Sequence, residues 1–227
     1  MAGQQDSSPL AVFKDFCIDA VDIDQAGRFW AAALGLSLNR DAGSVWLSGP
    51  GKAHTVWINQ VPEPKTAKNR AHLDVYTGSL AELEALGARI LEPAGGDRRW
   101  TVCADPDGQE FCAFLRDQVP DYRLYELGVD SPDPEPIARW WGRVYGCPVE
   151  QGDGYWYLEV PGTPFGAIAF SAVPEAKTVK NRVHWDVRAD PDRLVEAGAT
   201  LVRPKGDDLG WHVLADPDGN EFCAFTS

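Results

Sequence analysis

The sequence lacks the patterns that would place it in a membrane or in an oxidising compartment. It has no CxxC motif, its five cysteines are an odd number, and no secretion-type apolar segment follows its first residues. These features predict free thiols in a reduced, cytoplasmic protein. No apolar run approaches the length that crosses a bilayer, so we do not expect a membrane-spanning chain.

Positive charge is also scarce. The 227 residues carry 21 Lys and Arg against 34 Asp and Glu, a formal net charge of −13. Because such a surface repels phosphate backbones and anionic lipids, neither nucleic acid nor a membrane is an expected partner. Nine Trp, nine Phe and a hydrophobic fraction of 44% provide the apolar surface for a core. The composition is therefore typical of a soluble globular protein with one large or two small domains.

An internal repeat decides between these two options. PEPKTAKNRAHLDV begins at Pro62 and PEAKTVKNRVHWDV at Pro174, an offset of 174 − 62 = 112. WTVCADPDGQEFCAF begins at Trp100 and WHVLADPDGNEFCAF at Trp211, an offset of 211 − 100 = 111. Similar segments in the same order at nearly one spacing indicate a duplication. We predict two tandem domains, residues 10–116 and 122–227, joined by a short polar linker.

Each copy reads as two βαβββ modules, which makes four modules and an α+β fold. Helices are expected after Asp22 and Ser79, where acidic or hydroxyl residues suit a helix start. The Asp-Pro-Asp-Gly segment from Asp105 fits a type I turn between two closing strands. The modules should form curved mixed or antiparallel sheets, with cup-shaped inner faces and helices on the outer face.

Side chains alternate along a strand, which gives each predicted strand two faces. Ala71, Leu73 and Val75 share an apolar face, which should pack under the helices. The opposite faces carry ionisable groups in both copies, which are costly to bury unless they are paired. These groups should therefore line a ligand cup, and they are Asp15, Asp19, Arg70, His72, Asp74 and Cys112 in copy one and Glu126, Asp130, Arg182, His184, Asp186 and Cys223 in copy two. Trp57 should also point into a cup, and its counterpart Ala169 leaves the other cup roomier.

Taken together, these motifs resemble the vicinal oxygen chelate superfamily, in particular its glyoxalase-like domains and the related bleomycin-resistance proteins and dioxygenases. The resemblance spans nearly the whole chain, twice. It implies a divalent metal held by one residue from each of three strands. The matching positions are Asp15, His72 and Cys112 in copy one and Glu126, His184 and Cys223 in copy two. These ligands suit zinc better than magnesium or manganese, because a thiolate is a soft ligand; absence of a metal is the alternative.

The resemblance implies an enzyme, a glyoxalase-like lyase or isomerase that acts on a small oxygenated metabolite. Asp15, Glu126, His72 and His184 are then the expected catalytic residues. The expected substrate-binding residues are Trp57, Arg70, Asp74, Arg182, Asp186, Asp19 and Asp130. The usual two-His-one-carboxylate iron set is not present, which argues against dioxygenase activity.

Two other functions stay open. One is a metal-free protein that sequesters an aromatic molecule, as bleomycin-resistance relatives do; the other is a duplication with only a structural role. His72 and His184 could equally be structural, each bonded to a neighbouring Asp. The Arg side chains could pair with carboxylates, and the lysines at positions 65, 68, 177 and 180 could belong to a solvated loop or a gate. Either a monomer or a homodimer is compatible with two copies in one chain.

Overall fold

The computed structural model of the protein describes residues 8–226, in which four βαβββ modules follow one another along the chain. The first contains β1 (Ala11–Ala20), α1 (Ile23–Leu34), β2 (Ser37–Asp41), β3 (Ser44–Ser48) and β4 (Val56–Gln60). The second contains β5 (Ala71–Thr77), α2 (Leu80–Ala85), β6 (Arg89–Glu92), β7 (Thr101–Ala104) and β8 (Glu110–Leu115). The third contains β9 (Leu124–Ser131), α3 (Pro134–Tyr145), β10 (Glu150–Gln151), β11 (Tyr155–Leu158) and β12 (Ala167–Ala172). The fourth contains β13 (Val183–Ala189), α4 (Pro191–Glu196), β14 (Thr200–Arg203), β15 (His212–Ala215) and β16 (Glu221–Phe225).

The helix ends follow local chemistry. The Asp22 carboxylate accepts a hydrogen bond from the Gln25 backbone N–H at 2.9 Å, which satisfies a free donor at the start of α1. Gly35 ends α1 in the left-handed conformation, with a φ of 69° that favours glycine. Ser79 and Asp190 cap α2 and α4 in the same way as Asp22. No helix in residues 8–226 is long and apolar enough to cross a membrane.

The strands form two eight-stranded mixed sheets, and each sheet combines one module from each copy. One sheet has the order β14-β15-β16-β13-β1-β4-β3-β2, and the other has the order β10-β11-β12-β9-β5-β8-β7-β6. The antiparallel pair β1 and β13 joins the halves of the first sheet, and the antiparallel pair β5 and β9 joins the halves of the second. We call their concave inner faces the β1/β13 cup and the β5/β9 cup.

This pairing corrects the expectation that each copy closes a cup of its own. The two modules of one copy meet under their helices instead: the Trp30 ring of α1 packs at 5.4 Å from the Phe111 ring of β8. The Trp30 indole N–H also donates to the Asp105 carboxylate at 3.0 Å. Trp141 repeats both contacts in copy two, with Phe222 and Asp216. Because these contacts hold the modules of a copy through their helical sides, the strands of those modules face apart and pair with the other copy.

The apolar faces lie where the alternation predicted. Ala71, Leu73 and Val75 are fully buried in the core, as are Trp185 and Val187 of the equivalent strand in copy two. Residues between them in sequence point to the cups. The sidedness of the strands is therefore as expected, and only the choice of partner module differs.

Candidate functional site

The register of the strands places equivalent residues at equivalent positions in the two cups. In the β1/β13 cup, Cys17 lies between Trp57 and His184 on neighbouring strands. In the β5/β9 cup, Gly128 lies between Ala169 and His72. A second row in each cup carries carboxylates and a thiol, namely Asp15, Asp186 and Cys223 in one and Glu126, Asp74 and Cys112 in the other. The two cups therefore differ by a few substitutions on one frame.

A histidine–aspartate pair forms the floor of the β5/β9 cup. His72 Nδ1 lies 2.6 Å from Asp74 Oδ1, and the same oxygen accepts the backbone N–H of Cys112 at 3.0 Å. The imidazole ring lies directly over Gly128: a Cβ on that glycine would come within 2.2 Å of His72 Cε1. The missing side chain of Gly128 therefore makes the space in which His72 reaches Asp74.

Above this pair is a cavity of about 260 Å³ with aromatic walls. Trp100 stacks on Phe114 with 5.8 Å between ring centroids, and Phe114 meets Tyr125 edge-on at 4.7 Å. Ala169 lies where a larger residue would fill this space. The volume is at the small end of ligand sites, which suits one ring with a short polar substituent.

Glu126 contributes a neutral acid to this cavity. Burial raises the pKa of the Glu126 carboxyl to about 8, and the nearby Asp74 charge adds to the shift. At neutral pH the side chain therefore keeps its proton and can donate a hydrogen bond to a ligand. The site thus combines a carboxylic acid with an imidazole held by a carboxylate.

We expect Glu126→Gln to stabilise the protein at high pH and to have little effect at low pH. A raised folded-state pKa gives stability that is present below the unfolded pKa, near 4.5, and is lost as the pH rises through about 8. Because glutamine does not titrate, the variant should unfold with roughly 2–4 kcal/mol more free energy than the wild type at about pH 9. Urea unfolding of both proteins at about pH 5 and about pH 9 measures this difference.

The exposed Glu159 provides the matched control. Glu159→Gln removes one carboxylate with the same change in shape, and its effect on the free energy of unfolding should be small at both pH values. If Glu126→Gln changed the free energy of unfolding equally at the two pH values, that result would contradict a protonated Glu126 at neutral pH.

The β1/β13 cup is filled by its own side chains. The Trp57 indole N–H donates to Asp15 Oδ2 at 3.3 Å, and its ring lies 5.7 Å from that of Trp46. Lys14 Nζ lies 2.6 Å from Asp15 Oδ2, 3.6 Å from Asp186 Oδ2 and 4.0 Å from the centre of the Phe225 ring. The residues at the equivalent positions of the other cup are Ala169 and Tyr125, which leave its cavity open.

Three buried polar atoms in this filled cup have no hydrogen-bond partner. They are Asp15 Oδ1, His184 Nδ1 and Asp186 Oδ1, on side chains that are at most 8% exposed. Burial lowers the pKa of His184, so the imidazole is neutral. Burial and the charge of Asp15 together raise the pKa of Asp186 well above its ordinary value. Unsatisfied buried groups of this kind cost stability and call for an explanation.

The structure exchanges the predicted ligand partners between the copies. Asp15 lies with His184 and Cys223, and Glu126 lies with His72 and Cys112; the sequence-based sets had paired Asp15 with His72 and Cys112, and Glu126 with His184 and Cys223. That part of the prediction is wrong, because β1 pairs with β13 and β5 with β9.

The equivalent arginines of the duplicated loops, Arg70 and Arg182, lie outside both cups. Arg182 Nη1 donates to the Glu63 carbonyl at 2.7 Å, and its Nη2 lies 3.2 Å from Asp107 Oδ2. Arg70 Nη2 donates to the Ala176 carbonyl at 3.2 Å. Each arginine thus ties its loop to the other copy, beside a cavity of about 280 Å³ between the loops. The sequence had placed them among substrate-binding residues, because alternation alone puts them on the cup face.

The two remaining aspartates close ion pairs with lysines of the duplicated loops. Lys68 binds Asp130 at the edge of the β5/β9 cavity, and Lys180 binds Asp19. Lys65 and Lys177 bind Glu110 and Glu221. All four lysines of the duplicated loops are thus paired with carboxylates near the cups.

Lys14 and Tyr125 are two cup residues that the sequence did not indicate, and Trp100 and Tyr155 of the β5/β9 cavity are two more. The pairing of β1 with β13 shifts between Phe13 and Asp15, and the pairing of β5 with β9 shifts at the equivalent place in copy two, between Glu126 and Leu124. Such a bulge inserts one residue and re-aims its side chain. Because the predicted strand faces assumed regular alternation, no sequence signal indicated that Lys14 and Tyr125 point inward.

The donor atoms differ between the cups in their fit to a metal ion. Among residues 8–226, two groups have ligand atoms within 4.8 Å of one another: Cys17, His184 and Asp186, and His72, Asp74 and Cys112. In the second group the imidazole and the carboxylate already bind each other, and none of the unpartnered buried atoms in residues 8–226 belongs to that cup. Both cups thus offer metal-type ligand atoms, and the unpartnered buried atoms among them in residues 8–226 belong to the β1/β13 cup.

A duplicated set of βαβββ modules with paired cups that carry polar floors defines a protein of the vicinal oxygen chelate type. A family model described as "Glyoxalase-like domain" matches residues 15–114 and again residues 126–225. The chain belongs to this family, with two copies of its domain.

Relatives and solved structures agree with this assignment. "Glyoxalase 1" of Caenorhabditis elegans is 30% identical over 137 residues, which cover 52% of this chain and 47% of that protein. "Glyoxalase 1" of Caenorhabditis briggsae is 28% identical over 154 residues, covering 60% of this chain and 53% of that protein. The chain thus spans about half the length of the curated relatives it matches.

Structural similarity extends over nearly the whole chain. Glyoxalase I from Zea mays superposes with a TM-score of 0.67 at 16% identity, over 94% of this chain and 92% of that one. A putative dioxygenase from Bacillus subtilis gives 0.64 at 13% identity, over 96% and 86%. At these identities the similarity shows the shared fold.

Proposed function

We propose that the β5/β9 cup is the active site of a lyase or isomerase that moves a proton next to a carbonyl group of a small oxygenated molecule. The observation that carries this proposal is the juxtaposition of the His72–Asp74 pair and the Glu126 carboxyl in one open cavity. The names of the glyoxalase relatives support a reaction of this class. We also propose a cytoplasmic location, which the five free cysteines favour, with a single chain sufficient for the site.

The residues of the cup divide the proton transfers between them. Asp74 accepts the Nδ1–H of His72 and so leaves Nε2 as the basic nitrogen. That nitrogen takes the proton from the carbon next to the carbonyl group. Glu126 gives its proton to the carbonyl oxygen, which yields a neutral enediol. His72 then gives its proton to the former carbonyl carbon while Glu126 takes the proton of the substrate's original hydroxyl group, and this step completes an isomerisation.

The walls of the cavity select the substrate. Trp100, Phe114 and Tyr125 offer ring faces, which favour a flat apolar group. The Lys68–Asp130 ion pair at the rim places both charges beside the opening. A neutral aromatic hydroxyketone fits these features, whereas a large or multiply charged molecule does not.

Deuterium exchange on 2-hydroxyacetophenone tests the proposal. Wild-type protein in deuterium oxide should incorporate deuterium at the hydroxylated carbon, as observed by proton NMR. We expect His72→Ala to slow this exchange at least roughly 100-fold, because it removes the base. Asp74→Asn should also slow it, because the amide no longer fixes the reactive tautomer of His72.

His212→Ala provides the control, since it removes an imidazole from β15, outside the β5/β9 cup. Its exchange rate should equal that of the wild type. Exchange that survives in His72→Ala would contradict the assigned base.

Sequestration of an aromatic molecule is the second candidate function, and the aromatic walls of the same cavity favour it. In that case 2-hydroxyacetophenone binds with a measurable heat in calorimetry, and its deuterium exchange stays at the rate in buffer. His72→Ala would then change affinity only modestly, because ring contacts provide most of the binding.

A further inference from the structure

We propose that the cavity between the two duplicated loops binds one small oxyanion of the phosphate type, at a site separate from both cups. We call this space the interloop cavity. It has a volume of about 280 Å³ and is lined by residues 63–70 of copy one and 177–182 of copy two, together with Asp19. The site does not depend on the reaction assigned to the β5/β9 cup.

The lining of the interloop cavity is cationic, although the chain has a net charge of −13. Six of the 21 Lys and Arg residues line it, whereas Asp19 and Glu63 are its only carboxylates in residues 8–226. Both copies therefore present positive charge to a bound molecule. The six cations form equivalent pairs at an offset of 182 − 70 = 112, namely Lys65 and Lys177, Lys68 and Lys180, and Arg70 and Arg182.

Arg70 provides charge that its surroundings do not neutralise. Each of the four lysines has a close carboxylate partner, so the lysines alone would not attract an anion. The ion-pair partner of Arg70 in residues 8–226 is Glu175, whose Oε2 lies 3.9 Å from Nη1 and whose side chain is 68% exposed. A carboxylate at that distance and exposure offsets little of the guanidinium charge. Because a buried charge without a close partner is costly, an anion beside Arg70 is favoured.

Unpartnered nitrogens on both arginines support the same conclusion. Arg70 Nη1 and Arg182 Nε are buried and have no hydrogen-bond partner in residues 8–226, in residues that are 9% and 8% exposed. Other nitrogens of the two side chains fix them in place, since Arg70 Nη2 donates to the Ala176 carbonyl and Arg182 Nη1 donates to the Glu63 carbonyl. Each guanidinium is thus held across the boundary between the copies with one donor left over. A guanidinium fixed in this way is preorganised to bind an oxyanion.

Lys68 shows that cations are crowded in this cavity. Burial lowers the pKa of the Lys68 ammonium group, and the nearby positive charge of Arg70 lowers it further. The two cations therefore repel each other even though Lys68 also binds Asp130. A bound anion would relieve this repulsion.

The shape of the lining selects a tetrahedral oxyanion. Donors approach from both loops, and Thr66 and Thr178 add hydroxyl groups at equivalent positions. A carboxylate has its two oxygens on one side, whereas phosphate has oxygens in all directions and can contact both loops. The cavity has room for one such ion or a small phosphate ester, and the negative charge of the whole chain opposes a long phosphate polymer.

Calorimetry on the intact chain tests the site with inorganic phosphate and with glycerol 3-phosphate, in chloride buffer at constant ionic strength. We expect saturable binding of one equivalent per chain. Tighter binding of inorganic phosphate would support the free ion as the ligand, and tighter binding of glycerol 3-phosphate would support a phosphate monoester in the same cavity. Arg70→Gln should weaken phosphate binding roughly tenfold or more, because it removes a charge-assisted donor.

Arg89→Gln is the matched control, since Arg89 is exposed on β6 and lies outside the interloop cavity. It makes the same change in charge and should bind phosphate as the wild type does. Absence of saturable binding for both probes, or equal losses in the two variants, would overturn the proposal.

A second pair of variants keeps the test decisive if Arg70→Gln folds poorly. Val179 lines the cavity and is exposed, so Val179→Asp adds a negative charge there and leaves the core intact. Like-charge repulsion should reduce its affinity for phosphate roughly tenfold or more. Val202→Asp makes the same change at an exposed position of β14 and should keep wild-type affinity. Equal affinities in these two variants would exclude the interloop cavity as the binding site.

Discussion

Gly128→Ala is expected to abolish ligand binding in the β5/β9 cup. A Cβ at this position would lie 2.2 Å from His72 Cε1 and 2.8 Å from both ring nitrogens. The atoms in the way belong to a side chain, so the ring of His72 would rotate away and break its 2.6 Å contact with Asp74. Crowding and the lost hydrogen bond together should reduce the free energy of unfolding by about 3 kcal/mol.

Calorimetry with 2-hydroxyacetophenone and urea unfolding measure the two effects. Gly95→Ala is the matched control, because a Cβ there meets nothing within 4 Å and the residue lies in an exposed turn. Its affinity and stability should stay near those of the wild type. Normal affinity in Gly128→Ala would mean that the position of His72 does not matter for the ligand.

Ala169→Trp is expected to close the β5/β9 cavity by copying the other cup. There Trp57 packs on Trp46 and donates to Asp15 Oδ2 at 3.3 Å. In copy two, Tyr157 of β11 pairs with Ala169 of β12, and Glu126 lies on the adjacent strand β9. A tryptophan would therefore find a similar ring beside it and a similar carboxyl group in reach. We expect affinity for 2-hydroxyacetophenone to fall at least roughly 100-fold, since the 260 Å³ cavity would be occupied.

The free energy of unfolding distinguishes a cavity that the new tryptophan fills from a variant whose fold is destabilised. Because the new side chain fills space that is already open, the stability of Ala169→Trp should stay within about 1 kcal/mol of the wild type. Ala169→Ser, which adds one oxygen atom, serves as the control and should keep most of the affinity. Retained binding in Ala169→Trp would show that the ligand lies elsewhere.

The alternation of apolar and ionisable residues predicted which side of each strand is buried. The duplication supports this prediction because both copies show the same alternation. Leu73 and Trp185 had to be buried, and His72 and His184 had to face the opposite way, whichever strands became neighbours. The contrast between Trp57 and Ala169 was visible for the same reason. Alternation therefore predicted the buried and cup-facing sides of these strands, but it failed at Arg70 and Arg182, which lie outside the cups, and at Lys14 and Tyr125, which a bulge turns inward.

The sequence could not predict which modules share a sheet. Asp15 can face His72 or His184 with the same sidedness, since both histidines belong to equivalent strands. The observed pairing is accompanied by packing between Trp30 and Phe111 under the helices, a tertiary contact with no local signal. The inward turn of Lys14 likewise depends on a bulge that appears only when β1 pairs with β13.

The exchange of modules between the copies has a consequence for the history of the chain. Neither half encodes a whole cup, so a half on its own would have to pair with a second copy of itself to complete one. Each cup also takes half of its lining from each copy, and selection on one ligand must act on both halves. A fused chain can nevertheless vary the two linings separately, which an assembly of two identical subunits cannot do. Fusion would thus have been the step that let one frame acquire two unlike interiors.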